Sequence, residues 1–433
     1  MLVIIKVVIS ILCLMLFFVR SDKKLLIIVF SMLCFNAISL LNGEIGHSLK
    51  LISCCFILSE IKNIKKHITQ DLIFLMILSY IPIIILHANS PLYSGISGLI
   101  KLTIYEFICG NVILLFGIIA LNKKTTLSPF FHTIYYSMLI ITFFGVLNLI
   151  IGYSPWLEMM GISFNFLEYS RFRIQSMFIY PFDYGYICIA VLFFSLYGYK
   201  KNYLAKEKWY IILICSLFGI IFCGCRTILF CALIGLFILF TLTYKPIRLI
   251  KYLILACSLI GVCYCFIPAV QDYINFMMTV FDTGNEVGSS SLSMRGEQTL
   301  AVLYYISANL AFGRGYGFFY HDLNWADGHE GSIDNSLQGL EGVHLSYLLE
   351  RGFVGYGLYL IFYIVLLSLI WKKRETDKFG ASIATTILIC YLAFSHMTGE
   401  LNALYPTLFF IGVLLKIMSI ENNEQTSYNN SSI

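Results

Sequence analysis

Charge is scarce in this chain. Asp, Glu, Lys and Arg make up only 12% of its 433 residues, whereas a soluble domain carries about a quarter, and an ordinary cytosolic enzyme is thereby excluded. The 14 cysteines are not arranged as a staple either. All of them, from Cys13 to Cys390, lie in or beside apolar runs, so no disulfide framework is expected. Cys223 and Cys225 form a lone C-x-C, too few ligands for a tetrahedral zinc site. The first apolar run, 2–19, leads into Arg20, Asp22, Lys23 and Lys24 without a small-residue cleavage site, and reads as a retained span rather than a signal peptide. There is no internal repeat, and the one low-complexity stretch is the Asn/Ser tail ending at Ile433, which is expected to be disordered. A net charge of +5 is modest and implies no nucleic-acid partner.

Apolar sequence is plentiful, at 59% of the chain. Runs close to the roughly 20 residues that cross a bilayer recur from end to end. They fall at 2–19, 25–42, 46–61, 71–88, 99–121, 132–152, 183–199, 209–225, 227–244, 252–269, 353–371, 380–396 and 403–420. The expectation is an all-α polytopic membrane protein of about 12–13 transmembrane helices forming one membrane domain.

Every second connection is basic: Arg20/Lys23/Lys24, Lys62/Lys65/Lys66, Lys123/Lys124, Lys200/Lys201/Lys206/Lys208, Lys245/Arg248/Lys251 and Lys372/Lys373/Arg374/Lys378. Together they hold 19 of the 29 Lys and Arg, and the positive-inside rule puts them in the cytoplasm. Two long connections then face outward, about 153–182 and 270–352. Residues 1–269 carry the first ten spans, 353–420 the last ones, and 421–433 a cytoplasmic tail. The 270–352 loop holds nine acids against Arg295 and Arg314 before Gly342, and a loop of that length in a compact protein is usually functional.

Six arginines remain outside the basic turns, and all six face outward: Arg171, Arg173, Arg226, Arg295, Arg314 and Arg351. That opposes the orientation bias. Guanidinium groups are planar forks that suit phosphate oxygens, so an outward-facing anionic headgroup or pyrophosphate is the natural ligand. Snorkelling, or pairing with the loop acids, is the plainer account of any one of them. Arg226 sits in Gly224-Cys225-Arg226-Thr227 with almost no loop around it, which puts it at the membrane surface. Gly313, Gly315 and Gly317 permit a tight turn close to a ligand. Phe312, Tyr316, Phe318, Phe319, Tyr320 and Trp325 around them suit either stacking on sugars or an aromatic membrane belt. His344, His321 and His329 are the candidate general bases, and their chemistry alone does not rank them. Glu106, in the fifth run, is the deepest acid and the residue a transporter would use for coupling.

These residues in this order resemble the O-antigen polymerase and O-antigen ligase superfamily of membrane glycosyltransferases. The resemblance spans nearly the whole chain. It is carried by two unequal outer loops, the R-x-x-S-x-F-x-x-P run from Arg173, the small-x-Arg-Thr turn at Arg226, and Arg295 followed by Gly313, Gly315 and Gly317. His344-x-x-x-Leu with Glu350 and Gly352 completes it; Leu345 stands where the family commonly has Asn. The resemblance implies a GT-C-like fold in the bacterial inner membrane, with its active face and a large loop containing short helices in the periplasm. It implies undecaprenyl-pyrophosphate-linked glycans as donor and acceptor, a chain-length regulator as a further partner, and neither cofactor nor metal. Arg173, Arg226 and Arg295, with Arg314 nearby, would bind the pyrophosphate and glycan, and His344 would activate the acceptor. The Ile, Asn, Tyr and Lys bias favours the polymerase over a ligase acting on lipid A core. A polysaccharide flippase or ion-coupled transporter is the competing class.

Overall fold

The computed structural model describes residues 2–35, 47–104, 106–107, 112–121, 127–161, 173–244, 251, 254, 258, 261–278, 291–318, 340, 342–398 and 404–431. Among these the chain is helical throughout, with no strand. In order the helices are α1 (Leu2–Phe18), α2 (Ser21–Cys34), α3 (His47–His67), α4 (Gln70–Ala88), α5 (Gly95–Leu102), α6 (Val112–Ala120), α7 (Leu127–Ile151) and α8 (Pro155–Met159). There follow α9 (Pro181–Lys200), α10 (Lys206–Phe222), α11 (Arg226–Thr243), α12 (Pro268–Met278), α13 (Ser291–Ile306), α14 (Val343–Lys372), α15 (Lys378–Met397) and α16 (Leu404–Ser431).

Six of these, α4, α7, α9, α11, α14 and α15, are long and apolar enough to cross a membrane, while Lys6–Phe18 and Leu404–Ile420 are shorter apolar stretches. The remaining expected spans are shorter or more polar. The run 99–121 is the clearest departure, because α5 passes into a π-helical turn at 103, 104, 106 and 107; α6 follows from Val112. The run 252–269 is described only at 254, 258 and 261–269. The tail departs as well. Instead of loosening after Ile420, α16 stays helical to Ser431, since no Gly or Pro after Gly412 interrupts its hydrogen-bond ladder.

The helices start where local chemistry supplies a cap. Thr69 Oγ1 accepts from the Leu72 amide at the head of α4, and Asp377 Oδ1 accepts from the Gly380 amide (3.0 Å) at the head of α15. Pro181 opens α9, where its missing N–H costs nothing. In the assembled bundle α9 and α15 are central, with 78% and 72% of their apolar windows buried against 28–39% for the other four. They touch each other and share α11 and α16 as neighbours. The last helix lies against α6, where the carbonyl of Leu114 occupies the space a side chain on Gly412 would need. This close approach is the kind that small residues allow between helices in lipid.

Among the described residues, several of the basic-turn lysines are paired across helices. Lys24 pairs with Glu60 (2.5 Å), which also accepts from Ser21 Oγ (2.7 Å) and Asn63. Lys201 pairs with Asp377 (3.0 Å), and Tyr197 donates to the same carboxylate (3.0 Å). The Lys372–Asp71 pair (3.7 Å), exposed on both sides, joins α14 to α4. These pairs link α2 to α3, the end of α9 to the head of α15, and α14 to α4.

Candidate functional site

The segment before α9 is fixed by buried polar side chains. Asn148 Oδ1, near the end of α7, accepts from the amides of Gln175 (2.9 Å) and Ser176 (3.3 Å). Ser176 Oγ donates to the Ile141 carbonyl (2.5 Å), and Ser154 Oγ donates to the Ser176 carbonyl (2.5 Å). Ser176 is held with φ at 51°, a left-handed conformation that a non-glycine adopts only under such restraint. These bonds aim the chain so that the Ile174 amide donates to the Phe222 carbonyl (3.0 Å), in the turn between α10 and α11.

That bond brings two of the expected arginines together. Arg173 is next to Ile174, and its guanidinium is close enough to Cys225 to act on the thiol electrostatically. Its Nε is buried with no hydrogen-bond partner among the described residues. Arg226 is the first residue of α11, after a turn that Gly224 makes possible at φ 61°. Gly185 of α9 fits against Ile228 and Cys223, so the first turn of α9, with buried Asp183, lies against the same place. The N-termini of α9 and α11 thus meet beside Arg173, with Arg226 the first residue of α11. Free N–H groups and dipole ends of that sign favour an anion.

His344 lies in the first turn of α14, half-buried. Its Nδ1 is 2.9 Å from Tyr356 Oη and its Nε2 is 3.5 Å from Ser395 Oγ. The His396 ring is 4.9 Å away, centroid to centroid. Helix register relates this histidine to Arg226. Cys390 Sγ on α15 donates to the Cys231 carbonyl on α11 (3.4 Å). The two helices run antiparallel, and five residues along each from that contact, roughly 7.5 Å, lead to Ser395 and Arg226. The histidine and the arginine pair therefore stand at one level of the bundle.

The glycine turn has a different role from the one its sequence suggested. Gly313, Gly315 and Gly317 all have positive φ, but the first two close on protein backbone and Gly317 on the Leu92 side chain. The amides of Arg314 and Gly315 donate to the carbonyls of Leu349 and Glu350 (2.9 Å each), while those of Phe353 and Val354 donate to Leu310 (2.9 Å) and Ala311 (3.0 Å). In an unbroken helix Leu349 and Glu350 would accept from Phe353 and Val354. The strap 310–315 supplies both missing halves of those two bonds, and α14 breaks at Gly352 (φ 63°, ψ −171°). The Tyr316 amide donates to the Leu86 carbonyl (3.0 Å) and Ser90 Oγ donates to the Tyr316 carbonyl (2.8 Å), so the strap is also tied to the end of α4. Arg314 is part of this strap, its guanidinium 4.4 Å over the Phe318 ring. Tyr316 stacks on Tyr93 (5.3 Å).

The structure thus groups Arg173 with Arg226 and sets His344 at their level, whereas Arg314 belongs to the strap. Arg295 is in α13, but its side chain lies outside the described residues, as do Arg171, His321, His329, Phe319, Tyr320 and Trp325. Sequence reasoning counted Arg351 among the outward arginines without giving it a place. It is 4% exposed, and its guanidinium lies 3.7 Å over the Tyr347 ring and 3.8 Å from both Glu106 and Glu350. The Glu350-Arg351-Gly352 run, ending in a glycine that breaks the helix, is the one signal that pointed there. His396, at the end of α15, faces His344. Among the described residues no group of three His, Cys, Asp or Glu side chains is placed to hold a metal ion. No protein-family model and no curated protein matches this chain.

Proposed function

We propose that this chain is a membrane glycosyltransferase, a polymerase that joins undecaprenyl-pyrophosphate-linked repeat units at the periplasmic face of the bacterial inner membrane. The observation that carries the reading is the meeting of Arg173 and Arg226 at the N-termini of α9 and α11, with His344 at the same level. In this mechanism His344 takes the proton of an acceptor hydroxyl as its oxygen attacks the anomeric carbon of the donor. The new C–O bond forms while the bond from that carbon to the pyrophosphate oxygen breaks. Charge builds on the departing diphosphate, where Arg173, Arg226 and the two helix ends are fixed in advance. Tyr356 and Ser395 hold the imidazole in orientation.

The test is to supply the purified chain in lipid nanodiscs with lipid-linked repeat units and nothing else. The polymerase converts them into a ladder of longer lipid-linked glycans, and His344→Ala abolishes the ladder while leaving the protein folded. Transfer that begins only when lipid A core is added identifies a ligase instead. The interrupted segment at Glu106 favours a second reading, an ion-coupled transporter, because such proteins bind their coupling ion at broken helices. Flux of glycan across a sealed vesicle, without chain growth, identifies that.

A further inference from the structure

Two interrupted helices face each other at Arg351. The π-helical turn that carries Glu106 is one, and the break of α14 at Gly352 is the other. Interrupted backbone at such depth is tolerated where it is buried in protein or lines a cavity. The strap already satisfies the backbone groups that the α14 break releases, so the side chains are left with open valences. Both carboxylates stand 3.8 Å from the guanidinium, beyond hydrogen-bond range. Arg351 Nη1 is buried with no hydrogen-bond partner among the described residues. One oxygen of Glu350 accepts from the Gly317 amide at 3.4 Å.

The chemistry of this cluster narrows what it can hold. An anion would meet two carboxylates, and a cation would meet a buried guanidinium. Carboxylates only accept hydrogen bonds and a guanidinium only donates them, whereas a hydroxyl does both. A neutral polyol can donate to Glu106 and Glu350 and accept from Arg351 Nη1 without adding charge. The carboxylate side chains remain 22% and 16% exposed against 5% for Arg351, so the cluster is open on its acidic side. We infer that Glu106, Glu350 and Arg351 form a carbohydrate subsite that grips vicinal hydroxyls of a sugar.

The subsite is connected to the base. His344, Tyr347 and Arg351 are spaced i, i+3 and i+7, on one face of the helical segment before Gly352. The Tyr347 ring packs against Tyr359 (4.5 Å), which in turn packs against His344 (5.8 Å). The sugar held there is the acceptor, gripped about two helical turns from the histidine and separate from the arginine pair that binds the diphosphate. This assignment to the acceptor rests on the function proposed above; the sugar-binding chemistry does not.

The test uses two probes on the full chain in nanodiscs. The first is free repeat-unit oligosaccharide, released from its lipid diphosphate by mild acid and followed by saturation-transfer NMR. The second is undecaprenyl diphosphate without sugar. The wild type binds both. Glu106→Gln, an isosteric change at a partly exposed side chain, weakens oligosaccharide binding at least tenfold and leaves diphosphate binding as it was. Its thermal unfolding, measured alongside, shows that the fold is retained. Oligosaccharide binding that is absent in the wild type, or unchanged in both Glu106→Gln and Glu350→Gln, overturns the subsite. If instead Arg226→Ala keeps full diphosphate binding while Glu106→Gln loses the sugar, the proposed polymerase fails and the subsite stands.

Discussion

Gly313 and Gly352 meet backbone to backbone: a Cβ on either would stand 2.5 Å from the amide nitrogen of the other. Both have positive φ, 69° and 63°. Gly352→Ala therefore carries a penalty of about 1–3 kcal/mol for a backbone conformation open essentially to glycine alone and in addition forces the strap off α14. The expected result is a melting temperature in detergent several degrees below wild type. Gly357→Ala, on the same helix with open space around its Cα, should be close to neutral and serves as the control.

Arg226→Lys keeps the charge but not the fork. If the arginine stabilises a departing diphosphate, chain elongation falls roughly 100-fold, and the protein still unfolds at the wild-type temperature. Single-turnover assays with lipid-linked repeats measure the loss. Elongation near the wild-type rate would contradict the role given to Arg226.

Lys24 and Glu60 are 4% and 1% exposed and depend on each other. Glu60→Ala alone leaves a buried ammonium and should destabilise by about 3–5 kcal/mol. The double change Lys24→Met with Glu60→Leu removes both charges and should recover most of that loss. Denaturation of the wild type and the two variants in the same detergent measures both changes.

The proposed topology predicts opposite labelling from the two sides of a sealed membrane. Cys265, an exposed native thiol, is first replaced by Ser. An impermeant maleimide added to intact spheroplasts should then modify Ser307→Cys but not Ala205→Cys, and inverted vesicles should reverse the pattern. Both positions are exposed in the structure.

The helical character of the chain was legible because hydrophobic run length is a local property. The turn at Arg226 was legible for the same reason, with two apolar runs separated by Gly224 and Cys225. The pairing of Arg173 with that turn was not, because it depends on the reach of Asn148 to Ser176, 28 positions along the chain. The glycine triplet was read as a ligand turn because glycine reports close approach without naming what approaches. The place of Arg351 was not legible because its partner Glu106 lies 245 residues away in another apolar run.

The clasp at 310–317 also sets where this protein can be re-engineered. A graft that exchanges 319–339 for the corresponding stretch of another protein leaves every bond to Leu86, Leu349 and Glu350 in place. A graft that begins at 291 discards them and leaves α14 two main-chain bonds short at Gly352. Transplantable sequence is therefore narrower than the hydrophilic stretch itself, and chimeras cut at its obvious borders should express poorly for reasons unrelated to catalysis.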